Sequence, residues 1–169
     1  AVPLEPAIPG INLPHVANSH DVLAGKIPAG ENVVVIGGGL VGLEVAEYLA
    51  DMGKNVTVVE MLDEIGKDLG QLRKICVMES IYALGINTMV NTKCVEIKEG
   101  SVVVEKDGKT QELSADSVVI ATGARSRAFE ELTSYCKEKG IPYYVVGDAL
   151  SPRRALNAIA EAVEVAMQI

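Results

Sequence analysis

Three glycines are the residues in this chain whose spacing most plainly indicates chemistry. Gly37, Gly39 and Gly42 form a G-x-G-x-x-G string between a continuous apolar run at 32–36 and a helical pattern at 40–51. The apolar run is typical of a strand buried on both faces, so the string is expected to form a turn from strand to helix. Such a turn presents backbone N–H groups and the positive end of the helix dipole to phosphates.

The glycines of this loop have separate expected tasks. Gly37 permits the tight turn, Gly39 lets the backbone approach a pyrophosphate, and Gly42 lets the helix and the strand pack closely. A purely structural turn is the alternative, but the strand–helix setting favours a dinucleotide pyrophosphate site. The residues assigned to this site are Gly37, Gly38, Gly39, Leu40, Val41 and Gly42.

Glu60, at the end of the next apolar run at 55–60, is the expected acidic partner of the loop. In a Rossmann fold a carboxylate at that position accepts hydrogen bonds from the adenosine ribose hydroxyls, and a 2′-phosphate would meet its charge. Residues 61–64 include no arginine that could receive such a phosphate. The pattern therefore favours NADH over NADPH, with an ordinary solvated strand end as the alternative for Glu60.

The composition excludes several classes of partner. The net charge is −8, whereas nucleic acids and anionic membranes bind clustered lysines and arginines. No apolar run approaches the roughly 18 residues of a membrane span, and residues 1–10 carry three prolines and no basic start of the kind a signal peptide has. We expect a cytoplasmic protein that binds neither nucleic acid nor membrane.

The cysteines and histidines do not predict a metal site. Cys76, Cys94 and Cys136 are widely spaced and none lies in a C-x-x-C motif, which favours free thiols in a reducing compartment. His15 and His20 alone are too few ligands for a metal ion.

The order of the predicted elements indicates an α/β fold. Strands at 32–36 and 55–60 alternate with helices at 40–51 and 68–84, which implies a Rossmann-like parallel sheet with helices on both faces. Tight turns then predict an antiparallel β-meander with strands at 93–98, 101–106 and 110–114. The other predicted elements are an extended linker at 1–14, a helical turn at 18–24 capped by Asn18 or Ser19, strands at 86–90, 117–121 and 143–147, and helices at 128–139 and 152–168.

One glycine loop could hold either NAD or FAD, and two further segments of the sequence decide between them. Residues 118–123 are Val-Val-Ile-Ala-Thr-Gly and residues 143–148 are Tyr-Tyr-Val-Val-Gly-Asp. With the glycine loop and Glu60, these segments make nearly the whole chain resemble the C-terminal part of the two-dinucleotide-binding-domain flavoproteins. More narrowly, it is similar to the NADH:flavin oxidoreductases related to NADH oxidase, dienoyl-CoA reductase and trimethylamine dehydrogenase.

In that family an NAD(H) domain is inserted into an FAD domain. The resemblance implies a linker and start of the FAD-domain remnant at 1–30, an NAD(H)-binding Rossmann domain at 31–124, and a C-terminal strand–helix piece of the FAD domain at 125–169. The FAD domain's own glycine loop has no counterpart here, so we expect the chain to begin within that domain. The implied partners are the rest of the FAD domain and an upstream flavin-barrel and iron–sulfur domain, while the oligomeric state stays open.

The resemblance also implies roles for residues outside the loop. Glu44 matches a glutamate that lies near the nicotinamide in related reductases, and a local ion pair on the helix is the alternative. Gly147 and Asp148 would contact FAD in the intact enzyme, and a simple β-turn is the alternative. The residues expected to line the cofactor cleft, at the carboxyl end of a strand, are Ala121, Thr122 and Gly123.

The predicted activity is hydride transfer from NADH C4 to the flavin N5 of the intact enzyme. Since most of the FAD site lies elsewhere, this chain alone is not expected to turn over, and none of its side chains is assigned a catalytic role. One alternative is a non-catalytic module that binds ADP or NAD. A less favoured alternative is a short-chain dehydrogenase, because Tyr135 and Lys139 form Y-x-x-x-K, although the glycine spacing argues against it.

Overall fold

The computed structural model describes residues 1–127 and 129–169, which form two compact units. The larger unit spans Glu5–Gly123, and the smaller one combines Ala1–Leu4 with Ala124–Ile169. Within the larger unit, Val16–Asn18 of the region expected to be a linker forms a strand of the sheet. The boundary of an NAD(H)-binding domain at residue 31 stays a prediction. The predicted helix start at residue 128 lies outside the described residues.

The secondary structure follows the predicted order with a few shifted ends. The strands and helices are, in chain order, β1 (Val2–Pro3), β2 (Val16–Asn18), α1 (Ser19–Leu23), β3 (Asn32–Ile36), α2 (Leu40–Asp51), β4 (Asn55–Val59), α3 (Gln71–Ala83), β5 (Asn87–Met89), β6 (Lys93–Lys98), β7 (Ser101–Lys106), β8 (Lys109–Ser114), β9 (Ser117–Ile120), β10 (Ala124–Arg125), α4 (Glu130–Lys139) and α5 (Ala155–Ala166). α3 and α5 begin three residues later than predicted, because Gly70 and Arg154 hold extended backbone as N-caps. Within the described residues, none of the helices is long and apolar enough to cross a membrane.

The larger unit is built on a five-stranded parallel sheet in the order β2-β9-β3-β4-β5. The central strands consist mainly of valine and isoleucine, which suits strands that are buried on both faces. In β3, every residue from Val33 to Ile36 is at most 5% exposed. The predicted α/β class with a parallel sheet is therefore confirmed.

The two faces of this sheet are covered by different structures, since successive side chains of a strand point to opposite sides. Val33 and Val35 pack with residues of α1, α2 and α3 in one buried cluster. Val34 and Ile36 pack with the antiparallel meander β6-β7-β8 in a second cluster. The predicted meander is confirmed. It covers the face of the sheet on which further helices were predicted. α2 and α3 both lie on the opposite face, because successive right-handed crossovers in the same direction fall on the same side of a sheet.

α2 carries the glycine loop and is held by a buried stripe along its length. Leu43, Ala46 and Leu49 are at most 2% exposed, and their spacing places them on one side of a helix. Burying a leucine side chain contributes about 1.5–3 kcal/mol. The start of α2 is thereby fixed at the carboxyl end of the sheet, where open α/β sheets bind ligands.

The smaller unit contains the two-stranded antiparallel sheet β1–β10, α4, α5 and a 3₁₀ turn between the two helices. The predicted strand at 143–147 is wrong, because residues 141–146 have no regular secondary structure. Tyr143, Tyr144 and Val145 are 38–50% exposed. An apolar segment of this kind does not become a strand without a neighbour to receive its backbone hydrogen bonds.

Candidate dinucleotide-binding site

The glycine loop leaves β3 through a turn that requires glycine at position 37. Gly37 has a φ of +110°, which side chains with a Cβ rarely adopt. Its N–H donates to the Val59 carbonyl at 2.9 Å, and a Cβ on it would collide with the carbonyl of Ala121. Gly37 therefore joins the carboxyl ends of β3, β4 and β9 at one point.

The first turn of α2 lies directly on this loop. A Cβ on Gly42 would overlap the carbonyl oxygen of Gly37, so only glycine allows the helix to approach this closely. Gly39 is the N-cap of α2 and makes no side-chain cap bond. The nearest atom to a Cβ on Gly39 would be a carboxylate oxygen of Asp68 at 3.3 Å, so this side of the helix start is covered by a side chain and not by backbone.

The start of α2 offers backbone donors that have no acceptor within the helix. The first helical bond runs from the Leu43 N–H to the Gly39 carbonyl at 3.0 Å, so the preceding N–H groups lack an acceptor four residues earlier. The Leu40 N–H donates instead to the Asp68 carboxylate, with both oxygens at 3.1 Å. A helix start favours an anion, and here a side chain of the chain itself supplies one.

Glu60 follows β4 and turns its carboxylate towards the glycine loop. The residue is only 8% exposed, so it is not the solvated strand end considered as an alternative. Its Oε2 accepts from the Gly38 N–H at 2.7 Å and its Oε1 from the Leu62 N–H at 2.8 Å. An ionised carboxylate has about four acceptor sites, so two remain for a pair of ligand hydroxyls.

The connection between β5 and β6 fixes the backbone of Glu60. The Glu60 N–H donates to the Met89 carbonyl at 2.8 Å, and the Glu60 carbonyl accepts from the Thr92 N–H at 2.9 Å. Thr92 is fully buried, and its hydroxyl donates to the Val90 carbonyl at 2.8 Å. This network sets the direction in which the Glu60 side chain leaves the sheet.

A cavity of about 590 Å³ lies beside the glycine loop in the larger unit, and its size is within the range of small-molecule sites. Gly38, Gly42 and Glu44 are not part of its wall. The predicted site residues that line the cavity are Gly37, Gly39, Leu40, Val41, Glu60, Ala121, Thr122 and Gly123.

The cavity wall also contains residues that sequence reasoning missed. Asp68 is one, and it reaches the wall because the Gly66 N–H donates to the Gly38 carbonyl at 2.7 Å and folds its loop over the glycines. No spacing or periodicity in the sequence predicts that Asp68 lies beside the glycine loop. The other missed residues of the wall are Pro6, Ala7, Ile8, Ile36, Val59, Met61, Leu62, Thr92, Lys93 and Cys94.

Cys94 is the cysteine in the cavity wall. Burial raises the pKa of its thiol to about 11, so the thiol stays protonated at neutral pH and is a poor nucleophile. It forms no disulfide, and Cys76 and Cys136 are also free, as predicted. Cys94 therefore contributes an apolar surface to the wall rather than a reactive group.

Glu44 lies on α2 and pairs with a base on the neighbouring helix. Its Oε1 accepts from Nη2 of Arg73 on α3 at 2.7 Å, and the two side chains are 43% and 57% exposed. This geometry is the local ion pair considered as the alternative for Glu44, and such exposed pairs contribute little stability. A position near the nicotinamide stays a prediction.

Gly147 and Asp148 begin the 3₁₀ turn of the smaller unit, which spans Gly147–Ala149. The Gly147 N–H donates to Oε2 of Glu161 at 2.7 Å, and Oδ1 of Asp148 accepts from the Arg153 N–H at 3.2 Å. The guanidinium of Arg153 forms an ion pair with Glu161. The turn is thus fastened to α5 by local bonds, and its contact with FAD stays a prediction.

The Gly147 amide is expected to report the ionisation of Glu161. The Gly147 N–H and the Arg153 side chain hold the pKa of the Glu161 carboxyl below its ordinary value of 4.5. Because the folded-state pKa is depressed, the stabilisation is complete above the unfolded-state pKa and is lost as pH falls through the folded-state one. An NMR titration of the Gly147 amide should therefore have its midpoint below 4.5.

Two variants test the origin of this titration. Glu161→Gln should abolish the shift of the Gly147 amide, whereas Glu164→Gln, on the same helix, should leave it unchanged. A wild-type midpoint at or above 4.5 would contradict the bond between Glu161 and the Gly147 amide.

The parallel sheet, the glycine turn and the acid at the end of β4 together form the arrangement of a Rossmann-type domain. The model of the pyridine nucleotide-disulphide oxidoreductase family matches residues 1–162, and the chain belongs to this family. The predicted resemblance to two-domain flavoproteins is confirmed, and the short-chain dehydrogenase alternative is set aside. Tyr135 and Lys139, which suggested that alternative, lie on α4 in the smaller unit.

Curated relatives include several oxidoreductases much longer than this chain. NADH oxidase from Thermoanaerobacter brockii is 39% identical over 172 residues, which cover 99% of this chain and 26% of that protein. Bilirubin reductase from Mediterraneibacter gnavus is 38% identical over 157 residues, which cover 92% of this chain and 24% of that protein. The chain therefore spans about a quarter of the length of these relatives.

Solved structures of similar fold are also large oxidoreductases. A 2-naphthoyl-CoA reductase matches with a TM-score of 0.85 and 31% identity, over 99% of this chain and 25% of that one. The 6-hydroxypseudooxynicotine amine oxidase from Pseudomonas geniculata N1 matches with a TM-score of 0.85 and 28% identity, over 99% of this chain and 26% of that one. Both matches agree with the α/β architecture described above.

Proposed function

We propose that this chain binds NADH and positions it for hydride transfer to FAD within a larger flavin-dependent oxidoreductase. The observation that carries the proposal is the buried Glu60 carboxylate, which is bonded to the glycine loop and lies in the cavity wall. Membership of the pyridine nucleotide-disulphide oxidoreductase family supports the same assignment. The NADH oxidase among the relatives supports NADH as the dinucleotide.

The residues of the cavity fit an adenine dinucleotide. Gly39 places no side chain at the start of α2, and the N–H groups of the first turn suit a pyrophosphate. Glu60 retains acceptor sites for the two ribose hydroxyls. A 2′-phosphate at the same place would lie against a buried negative charge, which disfavours NADPH.

The chemistry belongs to the cofactors, since the bound nicotinamide supplies a hydride and the flavin accepts it. The part of this chain is to bind and orient the dinucleotide and to exclude water from it. Ala121, Thr122 and Gly123 line the cavity at the end of β9 and take part in this positioning. No acid or base is assigned, because the transfer of a hydride needs none in this chain.

The flavin site and the further domains belong to the larger protein in this proposal. Gly147 and Asp148 contact FAD together with residues outside this chain. The chain covers about a quarter of the length of its relatives, which supports further domains in the larger protein. We propose that these are the rest of an FAD domain and an upstream flavin-barrel and iron–sulfur domain. We therefore expect no turnover of NADH by this chain alone.

Calorimetric titration of the chain with NADH, NADPH, ADP and FAD tests the proposal. We expect NADH and ADP to bind in the cavity, NADPH to bind more weakly than NADH, and FAD to bind weakly. The preference for NADH follows from the charge of Glu60 beside the ribose.

Three results of these titrations would count against the proposal. Equal affinity for NADH and NADPH would contradict the role of Glu60 and would point to Lys93, in the same wall, as a partner of the 2′-phosphate. Tight binding of FAD would contradict the assignment of the cavity to NADH. Binding of ADP and NADH with equal affinity would favour the non-catalytic nucleotide-binding module, because the nicotinamide half would then contribute nothing.

A further inference from the structure

The loop between β4 and α3, residues 61–70, is folded onto the glycine loop. The Gly66 N–H donates to the Gly38 carbonyl at 2.7 Å. Ile65 is 5% exposed and packs into the core cluster of α2, with Leu69 packed against the same cluster. These contacts explain why a residue of this loop reaches the start of α2.

That residue is Asp68, and its carboxylate lies where an anion of a ligand is expected. The Leu40 N–H, the first of α2, donates to the two carboxylate oxygens at 3.1 Å each. Oδ2 of Asp68 also lies 3.3 Å from the point where a Cβ on Gly39 would be. Asp68 thus covers the side of Gly39 that no backbone atom covers, and it occupies the phosphate position of the proposed dinucleotide site.

We propose that Asp68 limits the affinity of this site, because its carboxylate must leave the start of α2 before a pyrophosphate can bind. The inference rests on the proposed function, since it takes the cavity as the place of a dinucleotide. One N–H group cannot serve the carboxylate and a phosphate at the same time. The apparent dissociation constant then equals the intrinsic one divided by the fraction of molecules in which Asp68 has moved away.

The two carboxylates of the cavity differ in how firmly they are held. Glu60 is buried and accepts from the N–H groups of two separate segments, at Gly38 and Leu62. Asp68 is exposed, and its carboxylate accepts from the N–H of Leu40. Moving an exposed carboxylate to another solvated position costs less than displacing a buried one, so Asp68 can move away while the Glu60 carboxylate stays in place.

Binding of ADP and of adenosine to four forms of the chain tests this inference. The forms are the wild type, Asp68→Asn, Asp68→Ala and the control Asp63→Asn, whose carboxylate is in the same loop and pairs with Lys67 at 3.1 Å. Asn keeps a weaker, neutral acceptor for the Leu40 N–H and Ala removes the acceptor, so ADP affinity should rise from wild type to Asn to Ala. The total gain should be about 5- to 10-fold, the worth of one hydrogen bond.

Adenosine distinguishes competition for the phosphate position from a general change in the cavity. It carries no phosphate, so its affinity should be the same in all four forms, and Asp63→Asn should bind ADP like the wild type. If ADP binds the wild type but binds Asp68→Ala equally or more weakly, the Asp68 inference is overturned while the proposed function stands. If no form binds ADP or adenosine, the proposed function fails and the inference fails with it.

Discussion

Replacing Gly42 with alanine is expected to lower the free energy of unfolding by about 3 kcal/mol, as overpacking of a tight contact does, and to abolish NADH binding. The new Cβ would lie closer to the Gly37 carbonyl oxygen than the 3.0 Å below which real Cβ atoms essentially never approach. That oxygen cannot yield easily, because the Gly37 N–H is bonded to the Val59 carbonyl and its φ is +110°. The helix start must therefore shift away from the loop.

Urea unfolding and NADH titration of the same samples measure the two effects. Gly70→Ala is the matched control, because a Cβ there meets no atom within 4 Å and the φ is an ordinary −67°. Because Gly70 is an N-cap, its replacement by alanine should lower the free energy of unfolding by at most about 1 kcal/mol. An equal loss of stability in the two variants would show that the contact between Gly42 and Gly37 is not what restricts this position.

The part of the site that could be predicted is the part that depends on neighbours in sequence. The glycine turn, α2 and Glu60 belong to one strand–turn–helix–strand unit, in which two apolar runs flank the glycine loop and the amphipathic helix between 32 and 59. Buried parallel strands and an amphipathic helix have distinct periodicities, so these elements emerged within one or two residues of their observed bounds.

The part that could not be predicted depends on segments that meet only in the folded chain. Asp68 and Thr92 reach the site because their loops hydrogen-bond to the glycine loop and to Glu60, and no local pattern encodes those bonds. The failure at 143–147 has the same origin, since an apolar run predicts a strand only where another strand pairs with it. The sequence shows that Glu60 follows the strand, but only the structure shows that its side chain is buried.

Replacing Glu60 with alanine is expected to weaken NADH binding by about 1–3 kcal/mol, the range for leaving a hydrogen-bonding group without its partner. The carboxylate that would accept the ribose hydroxyls is then absent. The affinity for NADPH should fall less than the affinity for NADH, or should rise, because the buried negative charge beside the 2′-phosphate is removed with the side chain. The ratio of the NADH and NADPH dissociation constants, measured by calorimetry, should therefore move towards one or reverse.

The same substitution also removes the acceptors of two backbone donors, so stability and binding must be separated. The Gly38 and Leu62 N–H groups lose their partner, and an unpaired buried donor costs about 1–3 kcal/mol. This cost falls on NADH and NADPH equally, so it cannot change the ratio of their affinities, whereas loss of charge at the ribose can. Glu64→Ala is the control, because it removes an exposed carboxylate of the neighbouring loop that pairs with Lys74 at 2.6 Å. If Glu60→Ala weakens both dinucleotides by the same factor, Glu60 supports the glycine loop but does not select NADH, and the choice between the two cofactors must be made elsewhere in the cavity.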